Sequence, residues 1–129
     1  MITEANEKGV NVLLITPTAN GEKAYNTETS LFDIPVRKAI TYMKEVALET
    51  DTLCFDLNQA LRDEMNSMLS AGKTKDEVIK YFHMVKTDTE GNETVDSTHL
   101  NTIGAKYLSK LIMDYVSGSS LGLKNFMTE

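Results

Sequence analysis

The chain has 129 residues and a mass of 14.4 kDa, room for one domain of ordinary size and little more. With 41% hydrophobic and 25% charged residues, two prolines and one cysteine, it reads as a globular chain, not a disordered, collagenous or disulfide-stapled one. Thirteen Lys and Arg against nineteen Asp and Glu leave a net charge of −6, which repels phosphate backbones and anionic lipids and argues against nucleic acid or membrane partners.

Met1 to Lys8 lack the basic start and apolar centre of a secretory signal, so a cytoplasmic chain is expected. Residues 2 to 8 read as helical turns closed by Gly9. Val10 to Thr16 come next as an almost continuous apolar, β-branched run stopped by Pro17, the pattern of a parallel strand covered on both faces. Its longest unbroken apolar stretch, Val12 to Ile15, falls far short of the roughly 20 residues a membrane helix needs. Thr18 to Asp33 are polar and turn-forming, which predicts a long loop after the strand, where open α/β sheets carry function.

Pro35 suits the first turn of a helix, and Val36, Ile40, Met43 and Ala47 recur at helical spacing through about Glu49. Thr52 to Leu57 predict a second short strand, which completes a βαβ unit. Cys54, within it, reads as a buried apolar side chain. A helix over Asn58 to Ser70 is closed by Gly72, and Thr74 with Glu77 has the spacing of a capping box for another through Tyr81 or Phe82. Lys86 to Ser97 read as polar loop with a turn at Glu90-Gly91-Asn92. Ile103, Tyr107, Leu108, Leu111, Ile112 and Tyr115 then place an apolar stripe on a last helix ended by Gly118.

The segment Asp96-Ser97-Thr98-His99-Leu100-Asn101-Thr102-Ile103-Gly104-Ala105 carries the chemistry. If the loop turns into a helix there, Asp96 and His99 lie about one turn apart on one side. A carboxylate at Asp96 then accepts from one ring nitrogen of His99, fixes its tautomer and stabilises the imidazolium formed when the other nitrogen takes a proton. The same spacing also fits a helix cap beside a surface histidine, so both readings stand at the level of spacing.

The string DSTHLNTIGAKYLSKLI resembles the C-terminal block of the SGNH, or GDSL-type, esterase superfamily. The order ITPTA, loop, helix, FDLN, helix, YFHM, loop and DSTHLNTIGA is similar to its rhamnogalacturonan acetylesterase-like branch, the carbohydrate esterase family 12 type. The resemblance covers nearly the whole chain, with specificity in the terminal block. It implies a flavodoxin-like α/β fold of parallel strands flanked by helices, with Asp96 as triad acid and His99 as general base. It further implies hydrolysis of acetyl esters on pectic or related sugars, without metal or other cofactor. Asn101 and Gly104 match the pattern after the His, where they read as shaping the helix start. His83 in YFHM fits a structural or substrate-loop role.

No Gly-Asp-Ser nucleophile block and no Gly-x-Asn-Asp oxyanion block occurs between Met1 and Glu129. Ser97 points away from a ring held by Asp96, and the other serines have no accompanying donor pattern. The resemblance therefore implies a C-terminal portion, residues 1–116, beginning ahead of the fourth strand of a five-stranded sheet with the N-terminal strands missing, and then a flexible tail over 117–129. Three readings are open: a C-terminal esterase half supplying the Asp-His pair and inactive alone, a half-enzyme completed by a separate serine-bearing chain, or a non-catalytic α/β interaction module. A two-stranded sheet with an open apolar edge at Val12 to Ile15 predicts self-association or weak folding.

Overall fold

The computed structural model describes residues 1–121. The element order is α1 (Ile2–Glu7), β1 (Leu13–Ile15), β2 (Tyr25–Asn26), β3 (Leu31–Phe32), α2 (Ala39–Glu49), β4 (Leu53–Phe55), α3 (Leu57–Ser70), α4 (Lys75–Phe82), β5 (His83–Thr87), β6 (Glu93–Leu100) and α5 (Thr102–Gly118). The chain is thus mixed α/β, with short strands and no barrel. Among the described residues no helix is long and apolar enough to cross a membrane.

Local chemistry sets the helix ends. Gly9, at φ +69°, donates to the Asn6 carbonyl while Val10 N–H reaches Ala5, the paired bonds of a Schellman stop for α1. Gly72, at φ +90°, repeats the motif after α3, with its own N–H on Leu69 and that of Lys73 on Met68. Thr74 and Glu77 form the expected reciprocal capping box at α4.

The core sits where α3, α4 and α5 meet. Leu57, Leu61 and Met65 pack with Val78, Ile79, Phe82 and Leu108, and Ala19, Ala24 and Phe32 close the cluster from the N-terminal side. Phe32 belongs to the segment expected to be loop. Thr18–Asp33 instead contains the antiparallel β2–β3 hairpin, anchored because Phe32 is fully buried and stacks edge-on against Tyr25 at 5.1 Å. The Asn66 side chain then completes Phe32's backbone, accepting from its N–H at 2.8 Å and donating to its carbonyl at 3.1 Å.

β1 and β4 pair in parallel, Leu13 opposite Leu53 and Ile15 opposite Phe55, as the βαβ reading requires. Both strands are shorter than expected. Their residues are half-buried, not covered on both faces, and each strand has a single neighbour among the described residues. Tyr115 of α5 covers part of the pair by stacking on Phe55 at 4.6 Å and donating to the Cys54 carbonyl. Cys54 itself is half-buried, and burial pushes its thiol pKa up.

Two further expectations change. Pro35 does not open α2, which starts at Ala39. Val36 adopts φ +64° in a tight turn closed by Arg37 N–H on the Pro35 carbonyl, a backbone no helix can use. Lys86–Ser97 is not loop either: β5 and β6 form an antiparallel hairpin around an Asp88–Asn92 turn. Of the expected tail, Ser117 and Gly118 are the last residues of α5, Leu121 is buried, and 122–129 lie outside the described residues.

Candidate active site

Asp96 and His99 lie on β6, not on a helical turn. The ladder places Met84 opposite Asp96 and His83 opposite Leu100, so Ser97, Thr98 and His99 bulge out between those pairs. The Asp96 carboxylate organises that bulge. Its Oδ1 accepts from the backbone N–H of Thr98 and of His99, both at 3.2 Å. Its Oδ2 lies 2.9 Å from His99 Nδ1. The bulge thus achieves in a strand the juxtaposition that the spacing predicted for a helix.

Lys86 of β5 donates to the same Oδ2 at 2.9 Å. The Lys86 ammonium first, and then the His99 ring, hold the Asp96 carboxyl well below the usual carboxylate range. The Asp96 side chain is 17% exposed and the His99 side chain 71%, so the pair has its acid sheltered and its ring open to solvent. With Nδ1–H donating to Asp96, Nε2 carries the free lone pair, and it has no hydrogen-bond partner among the described residues. The arrangement can take a proton from a hydroxyl brought to Nε2 and return it to a leaving alcohol.

Asn101 and Gly104 shape the start of α5. Asn101 caps the helix by accepting from Gly104 N–H at 2.9 Å, while its Nδ2 lies within 3.1 Å of the carbonyls of Lys80, Tyr81 and His83. One amide therefore joins the end of α4 to the start of α5. Gly104 permits the contact: a Cβ there would stand 2.2 Å from the Phe82 carbonyl oxygen.

His83 lies outside the pair, fully buried, with Nδ1 3.2 Å from the Ile79 carbonyl and Nε2 sealed without a partner among the described residues. Burial pushes its pKa down. It is a structural histidine packed under Gly21, whose own Cβ would meet the ring at 3.0 Å.

Asn20 emerges only in the structure. The sequence marks Asn20-Gly21 as a turn, whereas the fold brings it to the bulge. Asn20 donates to Thr98 Oγ1 at 3.0 Å and accepts from Ser97 Oγ at 3.3 Å, and Gly21 N–H donates to the Ser97 carbonyl at 2.9 Å. Ser97 is thereby aimed at the loop and away from His99. Among the described residues no serine bonds to the His99 ring, and no group of three or more His, Cys, Asp or Glu side chains could hold a metal ion.

No protein-family model, no curated protein and no solved structure matches the chain.

Proposed function

We propose that the chain is the C-terminal half of an SGNH-type serine carbohydrate esterase, with Asp96 as triad acid and His99 as general base for hydrolysis of acetyl esters on pectic or related sugars. The observation that carries the reading is the Asp96–His99 contact at 2.9 Å, with the far ring nitrogen free and the ring exposed. The serine and its oxyanion donors come from outside these residues, since neither block is present in the sequence. In that scheme His99 deprotonates the serine, an acyl-enzyme forms, and His99 returns the proton to the leaving sugar alcohol.

Support for a half-domain comes from β1. Among the described residues it pairs with β4 alone, and an apolar parallel strand with an unpaired edge is a template for another strand. The reading ranks above a non-catalytic interaction module because the sheltered carboxylate, besides tying the strands together, steers a ring whose far nitrogen is left to solvent. Loss of the serine alone removes on the order of a million-fold in turnover from a triad hydrolase, and the residual rate depends on the oxyanion hole.

The test is complementation. The pure chain should not hydrolyse a chromogenic acetate, and adding a serine-bearing N-terminal half of a related esterase should restore turnover that disappears with His99→Ala. Turnover by the pure chain that His99→Ala abolishes would place a nucleophile within it and end the half-enzyme reading. Restored turnover indifferent to His99→Ala would remove the general base from the scheme.

A further inference from the structure

Arg62, on α3, is 7% exposed. Its Nε donates to Asn58 Oδ1 at 2.9 Å and its Nη2 to Gln59 Oε1 at 2.7 Å, both neutral amide oxygens of its own helix. Among the described residues no carboxylate lies within 4.0 Å of the guanidinium, and Nη1 has no hydrogen-bond partner. A cation so deeply buried is costly unless an anion faces it, and a guanidinium carries five donors in a planar fork made for a carboxylate. Nη1 is nevertheless not sealed, since the one sealed side-chain atom left unpartnered among the described residues is on His83.

Arg62 lines a cavity of about 450 Å³ between α2, α3 and the segment around Pro35. Lys44 on its wall does not compete with Arg62 for an anion, because it is already paired with Asp56. Thr41 and Gln59 add neutral polar groups, and Asp33 and Glu45 stand on the lining as acceptors beyond ion-pair range of Arg62. The cavity lies beside the carboxyl end of β4, where open α/β sheets place ligands.

We propose that this cavity is a binding site for a small hydroxylated carboxylate. Arg62 takes the carboxylate through its free guanidinium edge, and Thr41, Asp33 and Glu45 take the hydroxyl groups. An inorganic anion would leave most of the volume empty and bring its charge near the carboxylates of Asp33, Glu45 and Asp56 with no hydroxyls to offer them. The site is independent of the Asp96–His99 pair and stands whether or not the esterase reading holds.

The experiment compares gluconate with sorbitol, a matched polyol lacking the carboxylate, by following backbone amide resonances of the full chain at constant ionic strength. Gluconate should give saturable shifts centred on Gln59, Arg62 and Thr41, with sorbitol weaker by about ten-fold or more. Arg62→Lys should weaken gluconate binding by about ten-fold, since the ammonium lacks the fork. Arg62→Met should abolish binding and, without ligand, melt no lower than the parent, because an uncompensated charge has been removed. If Arg62→Met does not fold, the guanidinium is a structural strut, and the proposal is overturned. It is equally overturned if gluconate and sorbitol bind alike, if gluconate gives no saturable shift up to about 50 mM, or if Arg62→Lys binds as the parent does.

Discussion

Lys86 and His99 meet at one acceptor: each places a nitrogen 2.9 Å from Oδ2 of Asp96, Lys86 from β5 and His99 from the bulge of β6. The carboxylate therefore ties the two strands together as well as steering the ring. Its folded pKa lies below the ordinary 3.8, so the stabilisation it supplies is present above about pH 4 and is lost as pH falls through the depressed value. Asp96→Asn should lower the melting temperature at pH 7, and its gap to the parent should narrow steadily as pH falls below about 4. Equal melting temperatures at pH 7 would show that the exposed partners contribute nothing. In the complemented esterase the same substitution should reduce turnover by about 10^4-fold, because the ring loses its tautomer.

His83 sets a second and separate acid limb. Burial lowers its pKa below the ordinary 6.5, opposed by the Ile79 and Ala19 backbone and by the charge of Asp96. Above pH 6.5 it is neutral folded and unfolded. As pH drops below 6.5 the unfolded state takes up the proton first, so stability declines until the folded value is reached. His83→Gln, which can still donate to the Ile79 carbonyl, should be less stable at pH 7.5 by about 1–3 kcal/mol. Its melting temperature should be flat between pH 7 and 5, where that of the parent falls. A parent curve already flat over that range would show that the buried ring is not titrating.

The joint between α4 and α5 gives a sharper test of what Asn101 does. As a simple helix cap, Asn101→Asp would be neutral, since Asp caps as well as Asn. The structure also gives Nδ2 three carbonyl partners, at Lys80, Tyr81 and His83, and a carboxylate would turn acceptors toward acceptors. Asn101→Asp and Asn101→Ala should therefore both cost about 2 kcal/mol or more in denaturant unfolding. Gly104→Ala should cost about 2–3 kcal/mol, because the 2.2 Å approach to Phe82 oxygen is against backbone that cannot swing aside. An unaltered Gly104→Ala midpoint would contradict the close crossing.

The helices were legible because their signals are local. Thr74 with Glu77, Gly9 and Gly72 act within a few residues of themselves, and the apolar stripes of α3 and α5 need only a periodicity. The hairpins were not. β5 and β6 are exposed over most of their length, so no buried alternation marks them, and their pairing joins residues from six apart at Thr87 and Glu93 to seventeen apart at His83 and Leu100. The β2–β3 hairpin hangs on Phe32 and on Asn66, thirty-four positions away in sequence. At the candidate site, the Asp96–His99 pairing was readable as a spacing, but its cause was not: a bulge can be recognised only once the register on both sides is known. Asn20 and Lys86 were hidden for the same reason, since each reaches the site from a different segment.

The open edge of β1 should show itself amide by amide. Thr16 N–H donates to the Phe55 carbonyl, and side and backbone directions alternate along a strand, so Leu14 N–H faces β4 while Leu13 and Ile15 N–H face the open edge. In a dilute monomer Leu14 and Thr16 should be protected from hydrogen exchange, and Leu13 and Ile15 should exchange rapidly. Raising the concentration should protect Leu13 and Ile15 in step with growth of a larger species in light scattering, since a second strand pairing at that edge satisfies both amides. A serine-bearing N-terminal half should protect the same two amides without self-association, which links the edge to the complementation test. Strong protection of Leu13 and Ile15 in a monodisperse monomer would mean that the edge is covered from within the chain, and both the self-pairing and the half-domain reading would fall.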